Sequence, residues 1–312
     1  MVMLRILYVN IGVITILDTN IMRIGTLVGG SDAVRVIPQI VKHGFESFNL
    51  TFWQTSGGTD LKELAARVRE LADEHDFVIS AISVFGNPLT GEGNNEDTLA
   101  TWERLIDHAH LFGTEIVSGF TGRLTGRPID ESIPKFAEVF GELARRAASQ
   151  GVKLAFENCD MDGTWKTGDW NIAHGPAAWE MMFNAVPADN LGLEWEPCHQ
   201  MVSLIDPIPQ LRKWAPKVFH VHGKDATIAW DVVREHGVHG NQPFVWHRTP
   251  GFGDSNWADI ITILRQNGYQ GTIDIEGWHD PVYRGELEMT GQVHALNYLK
   301  RCRGGDFISN PV

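Results

Sequence analysis

Cysteine is scarce in this chain of 312 residues: Cys159, Cys198 and Cys302 are the only three, and none forms a CxxC pair. That excludes a disulfide scaffold and fits a reducing, cytoplasmic setting. Positive charge is scarce as well. With 26 lysines and arginines against 39 acidic residues the formal net charge is −13, and no basic block stands out. A nucleic-acid partner is therefore not expected unless metal ions supply the missing charge. Long apolar runs are missing too. Leu4 to Leu17 contains Arg5 and Asn10, is too short to span a bilayer, and has neither a basic leader nor a small-residue cleavage site. It reads as an N-terminal arm or extra strand over residues 1–20, and no membrane partner is expected. Finally, Gly25-Thr-Leu-Val-Gly29-Gly30 has the wrong spacing for a dinucleotide fingerprint.

What is present is a hydrophobic fraction of 43%, enough for a large core, and a regular alternation of patterns. Short apolar runs at 22–28, 45–52, 77–84, 115–119, 152–157, 191–196, 217–222 and 271–276 read as strands. Residues 32–43, 61–74, 95–112, 131–149, 175–186, 207–214, 256–267 and 288–300 read as helices between and after them. The nearly unbroken run from Phe77 to Val84 has the character of a strand buried on both faces, as in a parallel sheet. The length alone would suggest about two domains, but single barrels reach this size. The expectation is an α/β protein, a single-domain (β/α)8 TIM barrel over residues 21–301 with a tail at 302–312. Four long segments, 85–95, 119–130, 158–174 and 223–254, follow strands, so they would gather over the C-terminal face of the barrel where chemistry sits.

Leu191 to Met201 is the most informative stretch. Glu194 and Glu196 share one parity, so both would face inward from a strand that Pro197 ends. Two inward carboxylates need a cation or a basic partner, unless one is solvated and the other is held by backbone N–H groups. Other strand ends carry similar groups: Glu157 on the fifth, His220 and His222 on the seventh, Glu276 on the eighth. Ionisable side chains on four successive strands point to a divalent metal site made of Glu157, Glu196, His222 and Glu276. Three carboxylates and one imidazole suit Mn²⁺, with Mg²⁺ or Co²⁺ as alternatives, better than structural zinc.

His220 and Glu194 lie one layer deeper, as hydrogen-bonding groups behind the ligands, and Glu194 could also meet substrate. Asp225 could orient a ligand histidine and Lys224 could neutralise a developing oxyanion. His199 and His247 are candidate acids and bases. Arg248, in a glycine-rich turn with Gly251 and Gly253, would be a donor over the pocket or a partner for a site carboxylate. Trp53, Trp246 and Trp278 fall just beyond strands or in the long loops, where an indole could stack on a sugar ring. His174 and His239 are further pocket candidates. Cys198 lacks a basic partner and is not read as a nucleophile.

Together these motifs make the chain resemble the sugar phosphate isomerase/epimerase superfamily, the xylose-isomerase-like barrels. The resemblance lies in Leu-Ala-Phe-Glu157-Asn, the Glu196 and His199 spacing, His222 with Lys224 and Asp225, the Arg248-x-Pro250-Gly251-x-Gly253 loop, and Glu276. Glu196 departs from the family's usual aspartate, and no arginine follows the seventh-strand His-Gly as it does in ketose 3-epimerases. The insertion from Asp160 to His174 and the enlarged seventh loop are similar instead to catalytic subunits of C-glycoside deglycosidases. The resemblance implies a metal-dependent sugar isomerase or epimerase working through an enolate. The alternatives are a lyase or deglycosidase that cleaves a 3-keto-glycoside, with a small second subunit, and a non-catalytic sugar-binding barrel. A small sugar or glycoside is the expected partner, and a homo-oligomer the expected assembly.

Overall fold

The computed structural model describes residues 22–90 and 95–305, with single positions at 308 and 311. The expected arm over 1–20 and residues 306, 307, 309, 310 and 312 of the expected tail therefore lie outside the described residues. Eight parallel strands form a closed barrel. They are β1 (Ile24–Gly29), β2 (Ser47–Trp53), β3 (Val78–Phe85), β4 (Ile116–Gly119), β5 (Lys153–Glu157), β6 (Leu191–Trp195), β7 (Val218–Gly223) and β10 (Ile273–Ile275). Each pairs with its sequence neighbours, and β1 pairs with β10 to close the ring, Ile24 lying opposite Ile273. Two more strands, β8 (Asp225–Ile228) and β9 (Val245–Arg248), form an antiparallel hairpin in the seventh loop.

The surrounding helices are α1 (Ala33–Ile40), α2 (Leu61–His75), α3 (Asn95–Phe112), α4 (Ile129–Ala148), α5 (Pro176–Ala185), α6 (Pro197–Val202), α7 (Pro207–Trp214), α8 (Trp230–His236), α9 (Trp257–Gln266) and α10 (Glu288–Cys302). Local chemistry sets their ends. Asp60 caps α2 by accepting from the N–H groups of Lys62 and Glu63, and Asp206 does the same for α7 at Ile208. Prolines at the first turn start α5, α6 and α7, where a missing N–H costs no helical bond. None of the described helices is long and apolar enough to cross a membrane.

Between helices and barrel the core is apolar and aromatic. Trp102 of α3 meets Phe140 of α4 edge to face at 5.4 Å, and Phe140 meets Phe156 of β5 at 4.9 Å. Inside the barrel the character changes. Asn49, Ser83, Ser118, Glu194, His220 and Asp274 are all buried, where barrels ordinarily stack branched aliphatic side chains. This polar layer carries the site above it.

Three elements were not legible beforehand: α6, α8 and the β8–β9 hairpin. The hairpin strands are four residues each, β8 buried only at its first two positions and β9 partly buried throughout, so they present no hydrophobic alternation long enough to read.

Candidate metal centre and active site

Alternation on the strands builds the site in two layers. Glu194 and Glu196, His220 and His222, and Asp274 and Glu276 are each two residues apart, so each pair faces the barrel axis, one member above the other. The upper members join Glu157. Donor atoms of Glu157, Glu196, His222 and Glu276 all lie within 4.8 Å of one another, and all four residues are buried. Donors on opposite sides of one ion, with bonds of roughly 2.0–2.2 Å, stand about 4 Å apart, so the cluster has the right size for a single divalent ion.

The polar accounting supports the same fit. Both carboxylate oxygens of Glu196, Oε2 of Glu276 and Oε2 of Glu194 are buried without a hydrogen-bond partner. An unpaired buried carboxylate oxygen is costly, and a cation is the usual remedy. His199 Nε2 comes within 3.0 Å of Glu196 Oε1, but that nitrogen also meets the Lys224 ammonium at 3.1 Å while Nδ1 faces Asp160 at 3.1 Å. The arrangement is satisfied when Nδ1–H donates to Asp160 and Nε2 accepts from Lys224, which leaves nothing to donate to Glu196. Burial first, and then the Lys224 charge, lower the His199 pKa, consistent with a neutral ring.

Nδ1 of His222 lies 2.9 Å from Glu157 Oε1 and 3.4 Å from Glu276 Oε2, while Nε2 lies 3.1 Å from Glu194 Oε1. Burial pulls the His222 pKa down, yet Glu194, Glu157 and Glu276 outweigh it and hold it well above the ordinary value. Burial, with the charges of Glu276 and Glu194, pushes Glu157 up against the pull of His222. For Glu276 the burial effect is overcome by Lys224, whose Nζ donates at 2.8 Å, and by His222, so its carboxyl sits well below the usual range. The two carboxylates at the cavity floor thus sit in opposed environments.

Beneath them, Glu194 Oε1 accepts from Ser118 Oγ at 2.6 Å and meets His220 Nδ1 at 2.7 Å. His220 Nε2 meets Asp274 Oδ2 at 2.6 Å, and Ser47 donates to Oδ1 of the same carboxylate at 2.5 Å. Ser83 links the far side through Asn49 and Ser118.

A cavity of about 510 Å³ opens above the cluster, lined by Glu157, His199, Lys224, His247 and Glu276 and, toward its mouth, by Trp53 and Trp278. Those seven were among the residues singled out from the sequence. Glu196 and His222 lie under the floor, and Glu194 lies deeper still, away from any substrate. Arg248, Trp246 and His174 do not line the cavity. Arg248 Nε donates to Asp280 at 3.0 Å, and the same carboxylate accepts from the N–H groups of Thr249, Val282 and Tyr283. The arginine holds the eighth loop rather than a substrate, because its partner, 32 residues away in sequence, reaches it first. Trp246 is spent in the hairpin opposite Thr227. His174 is only partly buried, and its Nε2 is enclosed without a partner. His239 lies exposed in the seventh loop. Asp225 does not orient His222. It accepts from the N–H groups of Ala226 and Ser255 and from Trp257 Nε1, tying the hairpin to α9. Burial raises the Cys198 thiol pKa, so it stays protonated.

Sequence reasoning gave no role to Asp160, His279, Asn49 or Asp274. Asp274 was within reach, since its parity with Glu276 is the same signal that paired Glu194 with Glu196. Asp160 had no such signal, because it sits in an irregular loop.

Residues 37–302 match the family described as Xylose isomerase-like TIM barrel. The chain belongs to that family. Among curated relatives, the rhizopine catabolism protein MocC of Rhizobium meliloti is 28% identical over 165 residues, 51% of this chain and 44% of the relative. The chain thus matches less than half of that relative's length. An inosose dehydratase of Klebsiella pneumoniae is 23% identical over 232 residues, 68% of this chain and 73% of the relative. Solved structures share the fold. A xylose isomerase domain protein from Planctomyces limnophilus superposes with a TM-score of 0.70 at 19% identity, covering 91% of this chain and 98% of that one. The 3-keto-D-glucoside 4-epimerase of E. coli gives 0.66 at 16%, covering 90% and 100%. A Mycobacterium smegmatis member of the same barrel type, solved in complex with magnesium, gives 0.66 at 19%, covering 90% and 98%.

Proposed function

We propose that this protein is a divalent-metal-dependent sugar isomerase or epimerase that acts on a keto-sugar by enolisation. The observation that carries the reading is the group of four buried donors with unpartnered carboxylate oxygens at the floor of an open cavity. Glu157, Glu196, His222 and Glu276 would hold the ion, Mn²⁺ in the first instance and Mg²⁺ or Co²⁺ otherwise. When bound, it would supply Lewis-acid stabilisation of charge developing on the substrate's carbonyl and adjacent hydroxyl oxygens.

The remaining chemistry belongs to the chain's own residues. Glu157 and Glu276 reach the floor from β5 and from the end of β10, on different sides of His222. One removes the proton α to the carbonyl and the other returns it from the opposite face, inverting the carbon. Lys224, held by Glu276 and His199, places a fixed positive charge beside the reacting oxygens. The Phe85, Phe120 and Leu27 side chains on the cavity wall limit water around the enolate.

Elimination from the same enolate is the second reading, since a leaving group β to the carbanion would depart instead. The kinship with inosose dehydratases favours keeping it. His247, whose pKa burial and then Lys224 lower to about 3, is a neutral ring in the cavity whose one N–H could donate a hydrogen bond to the departing oxygen, which leaves as water or an alcohol once it takes up the proton that Glu157 or Glu276 removed from the α carbon. Incubation of the metal-loaded protein with keto-sugars in D2O tests both. Solvent deuterium at the carbon next to the carbonyl is expected, and its absence from recovered and converted sugar would sink the enolate scheme. Product mass then separates isomer from cleavage product.

A further inference from the structure

Beside the four-residue centre, a second and chemically different donor set comes together. Cys159, Asp160 and His199 each offer a ligand atom, and these atoms lie within 4.8 Å of one another. The set shares no residue with the first centre, and it includes a thiol. All three residues line the cavity, so an ion can reach them from solvent.

The chain that follows β5 builds this set. Asn171 Nδ2 donates to the carbonyls of Glu157 and Cys159, both at 2.8 Å, and fixes the backbone there. Met161 and Asp162 then turn the chain with φ +48° and +58°, a left-handed pair without glycine. Cys159 packs against Phe85 and Phe120, and Asp160 Oδ1 stands 3.1 Å from His199 Nδ1.

The donor atoms select the ion. Sulfur, nitrogen and a carboxylate oxygen suit Zn²⁺, with cavity water in the fourth position, whereas Mn²⁺ and Mg²⁺ favour oxygen. Zinc bonds of about 2.0–2.3 Å set tetrahedral donors roughly 3.3–3.6 Å apart. The Asp160–His199 pair is already near that spacing, and Cys159 reaches it by a side-chain shift of about 1 Å. As the bond to sulfur forms, the thiol proton leaves for solvent. A thiolate and a carboxylate then cancel the charge of the ion, so no net charge is buried.

We propose that Cys159, Asp160 and His199 form an inhibitory zinc site in the cavity wall. His199 links it to the catalytic floor. Without zinc, Nδ1–H donates to Asp160 and Nε2 accepts from Lys224. Zinc on Nδ1 moves the ring proton to Nε2. That nitrogen then presents an N–H to Glu196 Oε1, 3.0 Å away, and Lys224 loses its acceptor. The site stands on its own geometry, and its effect on turnover rests on the proposed function.

Titration of the full-length protein with Co²⁺, an optical substitute for zinc, tests the site. A thiolate-to-cobalt charge-transfer band should appear in the near ultraviolet, vanish in Cys159→Ser and survive in Cys302→Ser. The first centre has no sulfur and cannot produce it. Circular dichroism shows whether Cys159→Ser is folded. Asp160→Asn keeps the thiol and should need at least about tenfold more Co²⁺ to half-fill the band, the lower end of what loss of even a supporting group costs a metal site. Zn²⁺ added to Mn²⁺-loaded protein, with retained Mn²⁺ measured in the same samples, should slow deuterium exchange into a keto-sugar. Cys159→Ser should need about tenfold more zinc for the same effect. No band in the parent, a band that survives Cys159→Ser, unchanged half-filling in Asp160→Asn, or equal zinc sensitivity of parent and Cys159→Ser would overturn the proposal. A sulfur band in a protein that exchanges no deuterium rejects enolisation and leaves the zinc site standing, whereas exchange without the band rejects this site alone.

Discussion

Glu194 Oε1 and His222 Nε2 stand 3.1 Å apart with both side chains fully buried, and this contact turns the opposite ring nitrogen toward Glu157 and Glu276. A histidine whose far N–H is held by a carboxylate is fixed in tautomer and rotation and is a more basic ligand. Glu194→Gln should therefore weaken Mn²⁺ binding about 10- to 100-fold, read by equilibrium dialysis. An affinity within twofold of the parent would show that Glu194 does not set the ligand's orientation.

Glu157 and Glu276 are assigned the proton transfers. Replacing either by Gln keeps shape and hydrogen bonding but removes the base, so α-deuterium exchange should slow by about 10²-fold or more. Near-ultraviolet circular dichroism should remain that of the parent. Full turnover in either variant would remove that residue from the mechanism.

Lys224 is buried against Glu276 and His199, and the Glu276 charge overcomes burial to keep it protonated. Lys224→Met should lower kcat by about 10²- to 10³-fold, the range seen when a preorganised electrostatic donor is removed. An unchanged kcat with a raised KM would reassign it to substrate binding.

Far from the site, Glu46 ties the barrel shut. It accepts from the Ile24 N–H at 2.9 Å, pairs with Arg303 Nη1 at 2.6 Å and with Lys300 at 3.0 Å, so it joins β1, the entry to β2 and α10. Burial alone would raise its carboxyl, but Arg303, the Ile24 N–H and Lys300 outweigh that and lower it. A folded-state pKa below the unfolded one contributes stability that is present above about pH 4.3 and lost as pH falls toward the folded value. Glu46→Gln should thus cost about 1–3 kcal/mol in urea unfolding at pH 7, and the gap to the parent should narrow below about pH 5. A gap independent of pH would mean that the charge of Glu46 contributes nothing.

The sequence by itself determined the barrel and the floor of the cavity. Strand parity is a local property, so Glu194 with Glu196 and His220 with His222 could be placed on one face from spacing alone, and the alternation of β and α patterns leaves few topologies. Only the tertiary structure decided the partners. That Asp280 claims Arg248, that Asp225 binds Ser255 and Trp257 instead of a ligand histidine, and that Asp160 reaches His199 are contacts across 30 to 39 residues of chain. Such contacts depend on how loops of irregular sequence close over the barrel. No periodicity encodes that closure, because it is set by which polar groups find each other once the strands have aligned.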